Sequence, residues 1–197
     1  MIYHEIADSH AHEPIDAQPA WVAGINAIRT AKSLYQSPNA HIYAGTRDIE
    51  ESLLTRLARC HTGAQRRALQ QEALTLSEEA IDIYMGSHAL EDAGEVYLNQ
   101  AAIVWQQHLD TQHPNGHGIT ALHCCRDAQE FLAKTQRPML FCATSIALAE
   151  ILIATRNPID GLPHALPHLW EGYTLATTLH DAPHIQQALK VFRQMQT

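Results

Sequence analysis

The side chains best suited to chemistry in this chain are its 14 histidines and 21 acidic residues. Near the start, His4-Glu5, Asp8, His10 and His12-Glu13 gather imidazole and carboxylate donors, a set that suits a transition metal. A terminal segment fixes no ligand geometry by itself, so no metal site is expected there. His4-Glu5 opens like the H-E-x-x-H zinc motif, but Asp8 stands where the second histidine is required, and the match fails. His164 and His168 stand four apart and could share a helix face as metal-binding pairs do, yet no third ligand accompanies them. His108, His113 and His117 lie in and around a loop; both sets read as surface histidines. No glutamate is followed three positions later by histidine, as a di-iron bundle requires. Walker loops, dinucleotide fingerprints and Gly-x-Ser-x-Gly elbows are also missing from the sequence. The expectation is therefore no catalytic residue, no metal, no cofactor and no enzymatic activity.

A different chemistry is suggested by charge. Between Ala68 and Cys125 the chain has eight acidic residues and no Lys or Arg, whereas Arg47, Arg56, Arg59, Arg66 and Arg67 stand just before. Glu78, Glu79, Asp82, Glu91, Asp92 and Glu95 bracket a turn at Gly86-Ser87, and together they could steer and dock a basic segment. The net charge of −8 argues against nucleic acid or anionic membrane as partner, because both demand basic surface. With 46% apolar and 17% charged residues, the composition is that of a globular chain able to bury a sizeable core. Cys60, Cys124, Cys125 and Cys142 lack the spacing of a zinc knuckle or disulfide framework and read as buried thiols in a reducing cytoplasm. At least one of the adjacent pair is expected in the core, on a face with Ala121 and Ala128. The N-terminus has no signal-peptide pattern, and the most apolar stretch, Met139 to Ala154, is read as too short to span a bilayer. A soluble, cytoplasmic protein is expected.

The elements that must position these residues are helices, because apolar spacings of three and four recur throughout and strand signals are nearly absent. Residues 1–16 read as an N-terminal arm and 17–197 as a single domain of about eight helices. The first spans about Ala17 to Gln36 with Trp21, Ile25, Ile28 and Tyr35 on one face. The second spans Thr46 to His61 with Ile49, Leu53, Leu57 and Cys60. In the third, Leu69, Ala73, Leu76, Ala80 and Ile83 step 4-3-4-3 and keep one seam toward a neighbour. Gly86 is expected to supply a left-handed stop and Ser87 a cap for the fourth helix, which continues to about Leu109. A fifth carries Ala121, Cys125, Ala128 and Leu132. The sixth, Pro138 to Arg156, is apolar nearly all round and must be sandwiched between others. A seventh runs to about Leu179, where Pro167 should kink it, and the eighth follows Asp181-Ala-Pro183. Equivalent helices recur every 40 to 50 residues, the range of helical repeat arrays.

Two segments resemble the tetratricopeptide repeat. In one, Leu148, Ala149 and Leu152 fill the leucine, small and large apolar places of a first helix, and Gly161 sits at the small position early on the second. In the other, Ala80, Ile81 and Tyr84 precede Gly86, and Leu98, Asn99 and Ala102 follow. No tryptophan occupies the family's opening position, and the proline that ends its second helices is missing. The resemblance implies tandem antiparallel helix pairs in a right-handed superhelix, the alternative being another α-helical bundle. It also implies a concave groove faced by Ala143, Ile146, Glu150 and Ile153, with Glu95 and Asn99 as equivalents one repeat earlier.

The function expected is a non-catalytic scaffold or adaptor that binds a protein or peptide, one with a basic segment, and that self-associates or joins a larger complex. The alternative is a regulatory helical domain sensing a small molecule or peptide in a closed apolar pocket. A metal-dependent helical-bundle enzyme is the third reading.

Overall fold

The computed structural model describes residues 17–34, 40–111, 116–132, 137–155 and 158–195. Eight helices account for nearly all of them: α1 Gln18–Leu34, α2 Ala40–Arg59, α3 Gly63–Gly86, α4 Leu90–Thr111, α5 His117–Leu132, α6 Pro138–Thr155, α7 Pro158–Thr178 and α8 Ala182–Gln194. The described residues contain no strand, so the class is all-α. The even-numbered helices begin at 40, 90, 138 and 182, which agrees with the predicted rhythm and is compatible with a helical repeat. Residues 10–99 and 100–197 group into two compact units. The predicted N-terminal arm lies outside the described residues, as do Tyr35 and His113.

In the N-terminal unit α1 packs on α2 and α2 on α3. Ala44, Ala80, Ile81, Tyr84, Ala93 and Val96 form one cluster, which ties α2 and α3 to the first half of α4. The α3 seam holds at Ala73, Leu76 and Ala80, all buried. A second row, Leu74, Ser77, Ile81 and Tyr84, is buried too. A heptad-like pattern marks one contact line only, and α3 has two covered sides; Ser77 fits because its hydroxyl donates to the Ala73 carbonyl at 3.1 Å.

On α2 the predicted face is corrected. The helix starts at Ala40 rather than Thr46, and its buried residues are Ala44, Glu50, Glu51, Leu54, Leu57 and Ala58. Ile49, expected inside, is 55% exposed. Two buried glutamates rotate the face away from the one that apolar residues alone would define.

The turn after α3 also differs from expectation. Gly86 ends the helix, but the left-handed residue is His88, with φ 58°. Ser87 closes α3 instead of opening α4, its hydroxyl donating to the Ile83 carbonyl at 2.9 Å and its N–H to the same carbonyl at 3.0 Å. The turn after α7 repeats this construction around His180, φ 55°, 92 residues later. Ala89 N–H donates to Tyr84 O and Asp181 N–H to Ala176 O, both at 2.9 Å. The 6→1 bond that each makes is the Schellman closure of a helix C-terminus. In the same register Ala73 matches Ala165, and Ala80 matches Gly172.

In the C-terminal unit α6 packs on α5, α7 and α8. Ala121, Cys125, Ala128 and Leu132 of α5 are buried as their spacing predicts. From Cys142 to Ala149 every residue of α6 is buried, so the sandwiched helix is found. At 18 residues and mean hydropathy 1.8, α6 has the length and composition of a membrane span, which corrects the expectation that it is too short. Its 61% burial against other helices is the behaviour of a core helix.

The α6–α7 crossing is close: a β-carbon on Gly172 would stand 2.7 Å from Ile146 Cγ1 and 3.2 Å from the Cys142 carbonyl oxygen. As one helix, α7 runs through both Pro163 and Pro167. Both prolines are exposed, so the Pro163 carbonyl that Pro167 cannot bond stays within reach of water.

Gly172→Ala should lower the unfolding free energy by about 1–3 kcal/mol through overpacking, despite its gain in helix propensity. Gly86→Ala, with nothing within 4 Å of the new β-carbon, should be neutral or stabilising by up to about 1 kcal/mol. Urea unfolding of the two variants beside the parent chain measures both.

Candidate partner-binding surface

The acidic residues singled out in the sequence are divided by the fold. Glu78 and Asp82, four apart on α3, are exposed together, and Glu91 at the start of α4 is exposed as well. Glu79 leans to α2, where its Oε2 lies 2.8 Å from Arg47 Nε. Asp92 lies 3.6 Å from His41 Nε2. Glu95 is half-buried, and Asn99 is buried with its amide donating to Asp48 Oδ1 at 3.4 Å.

The strongest electrostatic feature of the N-terminal unit was not anticipated. Glu50, with only 2% of its side chain exposed, accepts from Arg29 Nε at 2.7 Å and Lys32 Nζ at 3.1 Å, and Arg47 stands 3.7 Å away. Arg29 also engages Glu72, and the Arg47 guanidinium lies over the Tyr43 ring, 4.6 Å from its centroid. The result is a ladder, Glu72–Arg29–Glu50–Arg47–Glu79, that joins α1, α2 and α3. The hydrogen bond to Glu50 raises the Arg29 pKa above its ordinary value, with Glu72 adding to the effect and partial burial opposing it. Burial, reinforced by Glu79 and Glu50, raises that of Tyr43. The sequence did hold a signal: Glu50 precedes Leu54 by four residues and Leu57 by seven, the spacing of a shared helix face.

Residues that the repeat resemblance assigned to a groove on α6 are of two kinds. Ala143 and Ile146 are buried, with Ile146 against Gly172, whereas Glu150 and Ile153 are half-buried. Contact with Ile146 would require α7 to move.

The nucleophile candidates are subdued. Burial raises the Cys124 thiol to about 11 and the Cys142 thiol to about 12, and raises Cys125 as well, so all three stay protonated near neutrality. Cys142 donates to the Gly172 carbonyl at 3.1 Å, and Cys124 to Gln100 at 3.4 Å. The adjacent pair is buried as expected. Among the described residues no group of three or more His, Cys, Asp or Glu side chains could hold a metal ion.

The histidines scatter accordingly. His164 and His117 are exposed, and His108 is half-buried, its ring stacked on Trp105 at 4.9 Å. His168 is half-buried, with Nδ1 at 3.4 Å from Gln129 Nε2, which also reaches Ser145 Oγ at 3.3 Å. His184 is buried beside Asp181, Nδ1 to Oδ2 2.5 Å, while its backbone N–H donates to the Asp181 side chain, which caps α8.

One cleft of about 130 Å³ opens between α1, α2 and α3. Val22, Ile25, Leu54, Leu57 and Leu69 form its apolar wall, with Asn26, Arg29 and Glu72 as polar neighbours.

Comparison with protein families, curated proteins and solved structures finds no match to this chain.

Glu50→Gln leaves three cations around a neutral side chain and should cost about 3–5 kcal/mol, the range for breaking a buried pair. Glu72→Gln, at a half-exposed partner, should cost less than about 1 kcal/mol; denaturant unfolding of the variants separates the two values. Burial pulls the His168 pKa below 6.5, with Arg126 acting in the same direction and Glu171 against it. The unfolded chain therefore takes up this proton first as the pH falls. Stability from this site is present above pH 6.5 and is lost as pH falls through the folded-state pKa. Unfolding midpoints measured from pH 7.5 to pH 5 (about the histidine range) should fall less steeply for His168→Gln than for the parent.

Proposed function

We propose that this chain is a non-catalytic, tetratricopeptide-like scaffold that binds a protein or peptide segment carrying basic side chains. The observation that carries the reading is the division of charge on α3. Arg29 and Arg47 reach that helix and engage Glu72 and Glu79, while Glu78 and Asp82 stay on its exposed side. Two carboxylates one helical turn apart attract lysine or arginine side chains spaced along a helix or extended peptide, and such attraction acts chiefly on orientation and association rate. Apolar surface for affinity is present on the same unit, where Ile42 and Ile49 lie exposed seven residues apart on α2. The superhelical groove and its handedness belong to this proposal through the sequence resemblance.

The test is binding to an array of defined peptides that differ in basic content, read at low and at physiological salt. Glu78→Gln with Asp82→Gln should weaken binding of the basic peptides by about 10-fold and flatten the salt dependence. Equal binding by parent and variant would remove the acidic face from the reading; no binding to any peptide would remove the reading itself.

A second reading, a ligand-sensing regulatory domain, is favoured by the cleft between α1, α2 and α3. A small molecule with an apolar body and a polar end would fit its wall of Val22, Ile25, Leu54, Leu57 and Leu69. Thermal-shift screening of compounds of that type, repeated on Leu69→Trp to fill the cleft, tests it. A shift abolished by the substitution supports a ligand site, and the absence of any shift counts against one.

A further inference from the structure

The outward face of α7 and α8 holds more apolar surface than the packing of its own unit uses. Trp170 is 61% exposed, Leu166 48% and Leu189 39%. Trp170, Tyr173 and Phe192 form a ring cluster with centroid separations of 5.9 to 6.5 Å, which joins the two helices. Leu166 lies one turn before Trp170, and Leu189 one turn before Phe192, so the patch is continuous along both helices. Patches of this kind on a protein surface mark interaction sites more often than ordinary solvated surface.

The repeated turn geometry supplies a reference for what this face would need if it were only packing. At the 92-residue offset, Trp170 corresponds to Glu78, which is exposed on α3. Leu166 and Tyr173 correspond to Leu74 and Ile81, both buried. The helix position that a charge occupies at no packing cost in α3 thus carries the largest apolar side chain in α7, and the position of the buried Leu74 carries the exposed Leu166, while Tyr173 is half-buried.

Charged residues around the patch complement one another. Glu171 is exposed on α7, and Lys190 and Arg193 are exposed on α8. An isologous contact brings the same surface of two molecules together, so that residue i of one meets residue j of the other and the reverse. With acid on one helix and base on the next, such a contact places Glu171 of each copy toward Lys190 and Arg193 of the other.

We propose that this α7–α8 face is where two copies of the chain associate about a two-fold axis, with the Trp170 cluster at the centre and the Glu171 to Lys190/Arg193 pairing at the edge. This surface is built from helices other than those of the α3 acidic face and the cleft, and its test uses residues that neither of the two readings above involves.

Sedimentation velocity of the 197-residue chain over a concentration series reads the association directly. The expected result is a monomer–dimer equilibrium that Trp170→Glu weakens by about 100-fold, the scale of a central aromatic anchor. Far-UV circular dichroism should be unchanged, because Trp170 is mostly exposed. Glu171→Lys alone, and Lys190→Glu with Arg193→Glu alone, should each dissociate the dimer. Mixing those two variants should restore a heterodimer, since every pair across the axis is then of opposite charge. A chain that is monomeric at every concentration overturns the proposal and leaves the face to a different macromolecule. A dimer indifferent to Trp170→Glu, or charge variants that fail to rescue each other, overturns it as well.

Discussion

Each unit is organised around a helix crossing at which two backbones approach more closely than large side chains allow. In the C-terminal unit the crossing is set by Gly172, whose α-carbon faces Ile146 and the Cys142 carbonyl with no room for a methyl group. Ala165 and Ala176 extend the same side of α7, and all three are buried. In the N-terminal unit Ala44, Ala80 and Ala93 meet in one cluster. Close approach multiplies weak dispersion contacts, which is why interiors built this way tolerate little change in volume. The remaining placements follow from these crossings. α6 is surrounded because its small residues admit neighbours on several sides, and the end of α3 is covered at Ala80, Ile81 and Tyr84, which cluster with Ala44 of α2 and with Ala93 and Val96 of α4.

Electrostatics then settle what the N-terminal unit can offer a partner. Burying the Glu50 carboxylate has a large desolvation cost, which only close cations can offset, and Arg29, Lys32 and Arg47 converge on it. Arg29 and Arg47 connect onward to Glu72 and Glu79, so a local requirement of the core ties two acids of α3 to α1 and α2. Glu78 and Asp82 differ from Glu79 only in helical phase, and that phase alone leaves them facing water. A run of acidic residues in a sequence is thus resolved into a structural part and an available part.

Much of the candidate site was legible in part. The acidic run was visible as composition, and the exposed pair Glu78 and Asp82 lies within it. Its division was not visible, because no spacing rule says that Arg47 will reach Glu79 across a helix pair. The buried glutamates escaped for a related reason: a pattern read from apolar residues treats every charge as a solvent marker, and Glu50 and Glu51 invert that rule. At the α3 turn, Gly86 is the residue with free access to positive φ, yet His88 adopts it, since the register of the closing hydrogen bonds and not residue preference places the left-handed position.

What the sequence determined by itself was the helical class, the rhythm of helix starts and the one-sided seam of α5, where Ala121, Cys125, Ala128 and Leu132 are all buried as spaced. These are local properties, fixed by a 3.6-residue period and by neighbours close along the chain. The tertiary structure decided which of several apolar or charged faces turn inward, how Pro163 and Pro167 remain within an unbroken helix, and which carboxylates pair. Those outcomes depend on groups twenty to fifty residues apart coming within a few ångströms, such as Arg29 with Glu50 at 2.7 Å and Asn99 with Asp48 at 3.4 Å. Contact at that sequence separation is a property of packing, which helical periodicity cannot encode.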